Sequence, residues 1–392
     1  MIPYSTQLIE QDDVDALCSA LRSSHLTQGK MTKAFEAAIN NIKGKLKDRN
    51  VSYAISFNSA TSALYALYGA FMYKYFPTFA QPYNTRNTEE IYFVTTPISF
   101  VATTNMMLQW GIKPIFCDVK DDGNIDENAL VHILALHPKK AHIKAIVSVD
   151  YAGKSVEIES LHTLAKAHNL LLFSDSSHSF GGSYKGKPIG SLADATIFSF
   201  HAVKPITTAE GGALLTNDEE LAHYARLLLS HGVEKETLWK YDCFLAGMNF
   251  RLSELGAALG LSQIKKINRF IASRHEIALF YDEAFKDNAN FMAISIDSHI
   301  VSSHHLYPLL LAPHLHSQKE IIFSTLQERG LGVQVHYKPI YQFELYKRLF
   351  GEMSLLNANR FYLSEISIPC HQSLSKGQAK EIVDIVCKVC QG

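Results

Sequence analysis

Between residues 91 and 174 apolar runs of strand length alternate with longer segments of helical spacing, and this alternation limits the possible folds more than any other feature. The runs lie at 91–95, 114–118, 143–149 and 170–174, and the helical segments at 100–109, 126–136 and 157–168. Strands separated by helices of this length build a parallel sheet with crossover helices. After Asp175 the pattern changes: strands at 195–200 and 211–216 are joined by a short turn with no room for a helix. The chain is expected to be α/β, with a large, mostly parallel α/β/α sheet domain.

Around that centre, helices are expected at 11–22 and 31–46, a strand at 51–57, and a helix from NSATSAL to about Tyr75. Residues 76–90, with two prolines and several aromatic and polar residues, read as a loop insertion. Further on come a helix at 218–229, a long helical stretch from Leu252 to about Phe285, and a strand at 304–311. A helix at 317–329, a strand at 331–336 and helices ending at 375–389 complete the chain. At 392 residues the chain is too long for one compact core. The boundary is placed near Gly247, giving a large domain over 1–247 and a smaller C-terminal α/β domain over 248–392.

Composition removes several classes of function. Basic and acidic residues number 37 and 38, so no clustered positive face points to nucleic acid. No stretch approaches the roughly 20 apolar residues that span a bilayer, and MIPYSTQLIEQDDVDAL lacks the basic-then-apolar order of a signal peptide. The six cysteines are scattered; Cys387 and Cys390 are the sole C-x-x-C pair, and zinc needs two more ligands. They read as reduced thiols of a cytoplasmic protein without a metal.

The chemistry concentrates where ligands of an open parallel sheet bind, beyond the carboxyl ends of its strands. Asn58-Ser59-Ala60-Thr61-Ser62 stands at a strand-to-helix junction, where free backbone N–H groups attract a phosphate; an ordinary helix cap reads the same way. Asp175 closes LLLFSD, and an acid there needs a cation or hydrogen bonds to hold its charge. Lys204 lies 29 residues later in ATIFSFHAVKPITTAEGGA, between two apolar strands. A lone lysine in such a turn is ordinarily exposed, whereas one stripped of water becomes a nucleophile able to form a Schiff base. Ser199 precedes it and can donate to a phosphate, and Phe100 in TPISF offers a flat face. Taken together, a phosphate loop, an acid after a strand and a lysine between strands fit pyridoxal 5′-phosphate.

LTQG, NSAT, TPISFVAT, VDYAGK, SDSSHSFG, FSFHAVKPITTAEGG, GMNFRL and VHYKPIY extend over nearly the whole chain. They resemble the DegT/DnrJ/EryC1/StrS sugar aminotransferases, of pyridoxal-phosphate fold type I. The resemblance implies Lys204 as the Schiff-base lysine and Asp175 as partner of the pyridine nitrogen. Ala60, Thr61 and Ser199 then hold the phosphate, Phe100 stacks on the ring, and His178 stands where many relatives have glutamine. Asn249 reaches the phosphate from a second subunit, which makes a homodimer with shared sites. Tyr4, Ser24, His25, Leu26 and Thr27, with Val335, His336, Tyr337 and Lys338, match segments that touch the nucleotide-sugar. LTQG with NSATSALY, DDGNID and SVDYAGKSVE are most similar to the branch of pseudaminic acid biosynthesis. That branch implies transfer from L-glutamate to the 4-keto position of UDP-4-keto-6-deoxy-N-acetyl-altrosamine, with pyridoxamine 5′-phosphate as the amino form of the cofactor.

Three alternatives stand beside this reading. A dehydratase of the same fold carries histidine where this chain has Lys204. A different 4-keto or 3-keto nucleotide-sugar is resisted through resemblance alone, since pocket shape does not follow from spacing. A non-catalytic regulator on this scaffold conflicts with the presence of Lys204, Asp175, Ser199 and Asn249 together.

Overall fold

In the computed structural model, which describes residues 1–40, 51–78 and 89–391, the strand–helix alternation closes into one seven-stranded sheet. The end of the helix expected at 31–46 and most of the insertion at 76–90 lie outside the described residues. Helices α1 (Gln11–Leu21) and α2 (Lys30–Asn40) precede β1 (Tyr53–Phe57) and α3 (Ala60–Tyr75). Then come β2 (Ile91–Thr95), α4 (Ala102–Gln109), β3 (Ile112–Phe116), α5 (Glu127–Leu136), β4 (Ile143–Val149), α6 (Ile158–Ala167) and β5 (Leu171–Asp175). A short hairpin, β6 (Ser183–Tyr184) and β7 (Lys187–Pro188), leads to β8 (Ala195–Ser199), β9 (Gly212–Thr216) and α7 (Glu219–Leu229).

The sheet order is β1-β9-β8-β5-β4-β2-β3. Strands β8, β5, β4, β2 and β3 pair in parallel, and β9 runs antiparallel to both of its neighbours. Side chains alternate between two cores, as the period of two requires. Phe173 packs with Ile55, Val147 and Ile197 against α3, while its neighbour Leu172 packs with Ile146, Phe198 and Leu215 on the opposite face. Helix α3 is buried on almost every side because α4 and α7 cover the faces that the sheet does not. Each such fully buried aromatic contributes about 2–3 kcal/mol, so the sheet is a stiff support for the loops at its carboxyl edge.

An exposed hairpin, β10 (Val233–Lys235) and β11 (Tyr241–Cys243), follows α7. The single helix expected over 252–285 is two, α8 (Glu254–Ile264) and α9 (Ile267–Phe285). The break has a cause: Lys266 turns inward to pair with Asp12 and Asp13 on α1, both at 2.7 Å. Helix α8 lies on α1 and α2, where the Glu254 carboxylate accepts from Met31 N at 2.8 Å and Thr32 N at 3.1 Å. Beyond it lie β12 (Phe291–Ala293), β13 (Ile300–Val301), β14 (Tyr307–Leu311), α10 (Lys319–Glu328), α11 (Glu344–Phe350), α12 (Leu356–Ser364), β15 (Glu365–Ile368) and α13 (Lys376–Gln391). Strands β12, β14 and β15 form an antiparallel sheet covered by α9, α10 and α13.

The strand expected at 331–336 does not form. The N-terminal segment crosses there, with Gly332 N donating to Ile2 O and Ile2 N to Gly330 O, both at 2.7 Å. Only Leu331 and Gln334 make isolated bridges, to Ile2 and Ser367. Among the described residues no helix is long and apolar enough to cross a membrane.

Candidate active site

A cavity of about 440 Å³ opens at the carboxyl ends of β4, β5 and β8, lined there by Val149, Asp175 and Ser199. This is where an open α/β sheet presents its strand-end loops to a ligand. The wall also carries Tyr4, Ala60, Thr61, Phe100, His178, Lys204, His336 and Tyr337. Residues expected from widely separated segments therefore meet in one place.

Lys204 sits in the loop between β8 and β9, which is tied rather than open. Phe200 N donates to Gly211 O at 2.9 Å, Thr208 N to Phe200 O at 2.9 Å, and the Ser5 hydroxyl to Val203 O at 2.8 Å. Lys204 is half-buried on the cavity wall, and loss of water around its amine pushes the pKa down to about 7. Asp175 opposes that shift and the charge of Arg274 adds to it. Near neutrality such a lysine holds a large fraction of free amine, as a nucleophile or a base requires.

Asp175 is 6% exposed, yet no cation stands within ion-pair distance among the described residues. Hydroxyl groups meet it instead: Thr103 donates to Oδ2 at 2.7 Å and Ser177 to Oδ1 at 2.5 Å. A buried carboxylate held this way and facing a cavity suits a cationic ring nitrogen, because burial without a partner is costly.

At another part of the wall, α3 begins. Ser59 caps it by accepting from Ser62 N at 3.0 Å, and the Ser62 hydroxyl donates to Asn58 Oδ1 at 2.6 Å. First-turn N–H groups have no partner within a helix, so those of Ala60 and Thr61 remain for an anion. Strand β9 comes so close here that a Cβ at Gly212 would lie 2.4 Å from Ala60 N. Ser199, paired with Gly212 in the sheet, lies on the same wall. An acid, an amine and an anion-binding helix start share one cavity, and these residues fit pyridoxal phosphate.

The remaining wall is aromatic and imidazole-rich. The rings of Phe100 and Tyr337 lie 6.3 Å apart, and the Tyr337 hydroxyl is 3.1 Å from His178 Nε2. Burial, then the charge of Lys204, pushes the His178 imidazole well below its usual range. His336 is held from behind: its N–H donates to Glu365 at 2.7 Å, its Nδ1 lies 2.9 Å from Ser367 Oγ, and its carbonyl accepts from Tyr151 at 2.6 Å. Burial pushes His336 down to about 3, so it is a neutral imidazole across the physiological range.

Seven expected residues are not on this wall. Ser24, His25, Leu26 and Thr27 lie on an exposed segment between α1 and α2, tied to α8 by a bridge from Thr27 to Ser253. Val335 and Lys338 flank the cavity residues without lining it, the Lys338 ammonium resting 5.1 Å from the Phe343 ring centre. Asn249 is exposed, its backbone bridged to Ser230. Conversely, His305, Thr103 and Ser177 line the cavity without having been singled out. Thr103 was within reach, since it follows Ser99 by one helical turn in TPISFVAT; His305 had no local signal.

The profile of the DegT/DnrJ/EryC1/StrS aminotransferase family matches residues 7–387. The UDP-4-amino-4,6-dideoxy-N-acetyl-beta-L-altrosamine transaminase of Campylobacter jejuni (serotype O:23/36, strain 81-176) is 46% identical over 384 residues, 98% of this chain and 96% of its own. The solved structure of Helicobacter pylori PseC, an aminotransferase involved in the biosynthesis of pseudoaminic acid, superposes with a TM-score of 0.90 at 44% identity. That match covers 100% of this chain and 99% of PseC. The PLP-form of the putative sugar aminotransferase Spr1654 from Streptococcus pneumoniae gives a TM-score of 0.86 at 26% identity, covering 100% of this chain and 98% of that one.

Proposed function

Because the chain belongs to the DegT/DnrJ/EryC1/StrS aminotransferase family, we propose that it moves the amino group of L-glutamate to the 4-keto position of UDP-4-keto-6-deoxy-N-acetyl-L-altrosamine, a step of pseudaminic acid biosynthesis. The altrosamine transaminase of C. jejuni and PseC of H. pylori support this choice of sugar. The observation that carries the reaction type is the enclosed Lys204 amine, in the same cavity as Asp175 and the start of α3.

Bound there, pyridoxal phosphate supplies an aldehyde that accepts amines and a ring that withdraws electrons from the reacting carbon. Ala60 and Thr61 N–H and the Ser199 hydroxyl bind the phosphate. Asp175, oriented by Thr103 and Ser177, would keep a proton on the ring nitrogen. Phe100 would cover the ring and His178 would stand beside it, both on the cavity wall. Lys204 Nζ would take the proton from the α-carbon of L-glutamate, whose amino group stays with the cofactor while water supplies the keto oxygen of the departing 2-oxoglutarate; in the second half it would deliver a proton to C4 of the sugar, where that amino group is left. Both transfers need an amine that gains and loses a proton near neutrality, which the low value of Lys204 provides.

Tyr4, His336 and Tyr337, on the cavity wall, meet the sugar and diphosphate. Asn249, with Ser24 to Thr27, Val335 and Lys338, acts in a homodimer whose partner brings such residues to the shared site. The test is Lys204→Arg: the purified variant is expected to lose both the visible absorbance of the bound cofactor and amino transfer. A variant that still transaminates refutes the assignment.

A further inference from the structure

His305, on the cavity wall, has no place in that scheme. His305 Nε2 lies 3.2 Å from Lys204 Nζ. The imidazole comes from the segment before β14, about 100 residues along the chain from the lysine, and it is 3% exposed. Its other nitrogen, Nδ1, makes no hydrogen bond within the described residues, so the bond to the lysine is its polar tie.

The backbone around His305 is clamped from two sides. Arg274, fully buried, donates from Nη1 to the carbonyls of His304 at 3.0 Å, His305 at 3.3 Å and Cys370 at 2.8 Å. On the other side Ser303 N donates to Gly153 O and Leu306 N to Ala152 O, both at 3.2 Å. A Cβ at Gly153, where φ is +98°, would lie 2.2 Å from Ser303 Oγ, so that close approach depends on glycine. The His305 ring tilts against His178 with centres 4.5 Å apart. A histidine fixed this firmly with its edge on an amine has little purpose as packing alone, because an apolar side chain fills the same space without a buried polar atom.

We propose that His305 is a positioning residue for Lys204, accepting a hydrogen bond from Nζ whenever that amine is not covalently engaged. An ammonium has three donors and no lone pair, so this bond survives protonation only if Nε2 accepts and Nδ1 carries the ring hydrogen. The same tautomer serves the neutral amine, whose lone pair is then turned away from His305 into the cavity. Arg274 makes the arrangement durable by holding the loop, while burial, then the charges of Lys204, His178 and Arg274, disfavour a proton on His305, which leaves Nε2 free to accept. The other titratable groups on the cavity wall are Tyr4, Asp175, His178, His201, Glu210, His336 and Tyr337. Of these, Asp175 alone favours the charged form in the balance that fixes Lys204.

The inference rests on the aminotransferase reading, and its test has one arm that does not. In cofactor-free protein carrying ε-13C lysine, the Lys204 resonance is titrated by NMR in wild type, His305→Leu and His305→Gln. Removal of the acceptor in His305→Leu is expected to lower the midpoint by about one unit, a tenfold weaker hold on the proton. His305→Gln, whose amide oxygen can accept, is expected to stay near wild type. In the loaded enzyme, the single-turnover rate with L-glutamate is expected to fall about 10–100-fold in His305→Leu. KM is expected to be unchanged, with a larger isotope effect from 2-deuterated glutamate and partial rescue in His305→Gln. A folded His305→Leu with the wild-type midpoint and wild-type rate overturns the proposal, as does a loss confined to KM. If wild type itself takes no amino group from glutamate, the aminotransferase reading falls, while the titration still decides the role of His305.

Discussion

Replacing Lys204 by methionine makes the cofactor-free protein more stable, by an amount that depends on pH in a calculable way. Burial lowers the amine from 10.5 to about 7. That is about 3.5 units at about 1.4 kcal/mol each, or roughly 3–5 kcal/mol after allowing for screening by water in the cavity. Below the lowered value, lysine is charged in both the folded and unfolded chains, and the folded chain bears the whole cost of the enclosed cation. Between about 7 and 10.5 the folded chain has released a proton that the unfolded chain still binds, so stability rises with pH by about 1.4 kcal/mol per unit. Methionine has nearly the volume of the lysine stem and no charge, which removes the cost at every pH. Urea unfolding at pH 6.5, 8 and 9 is expected to show Lys204→Met ahead of wild type by roughly 3–5 kcal/mol at the lowest pH and about 2 kcal/mol at the highest. Methionine also gives up the hydrogen bond to His305; the part of that bond which depends on the lysine's proton is already contained in its pKa, and the part made by the neutral amine is a constant offset. A gap that does not change with pH refutes an enclosed amine with a lowered proton affinity.

Other substitutions test separate parts of the site. Asp175→Asn keeps a polar group at the end of β5 but cannot hold a proton on a ring nitrogen; amino transfer is expected to fall at least about 1,000-fold in single-turnover assays. Gly212→Ala places a methyl 2.4 Å from Ala60 N, so cofactor affinity, measured by absorbance titration, is expected to drop about tenfold or more. Glu254→Ala removes the carboxylate that accepts from Met31 and Thr32 N–H; thermal unfolding is expected to show a loss of about 2–3 kcal/mol.

The candidate site is legible in the sequence because the residues that line it mark the ends of elements. Asp175 closes β5, Ser199 closes β8, Ala60 opens α3, and Lys204 lies between two strands. Sequence order and the rule for parallel sheets place all of them at one edge. His305, Thr103 and Arg274 depend on packing between distant segments. Arg274, midway along α9, reads as a helix surface residue until the loops at 304–305 and 370 close over it. The strand expected at 331–336 failed for a related reason: LGVQV has the alternation of a strand, but its hydrogen bonds go to the N-terminal segment and to Ser367 one residue at a time. The division of the 252–285 helix turned on a charge, since Lys266 reaches three acids on and before α1.

Sugar specificity is read from the second half of the reaction, in which the amino group reaches the sugar. The amino-loaded enzyme is mixed in turn with UDP- and dTDP-linked 4-keto-6-deoxy sugars, and loss of the pyridoxamine absorbance is followed. The predicted result is rapid loss with UDP-4-keto-6-deoxy-N-acetyl-altrosamine, accompanied by its 4-amino product. Reaction with dTDP-linked sugars alone contradicts the account.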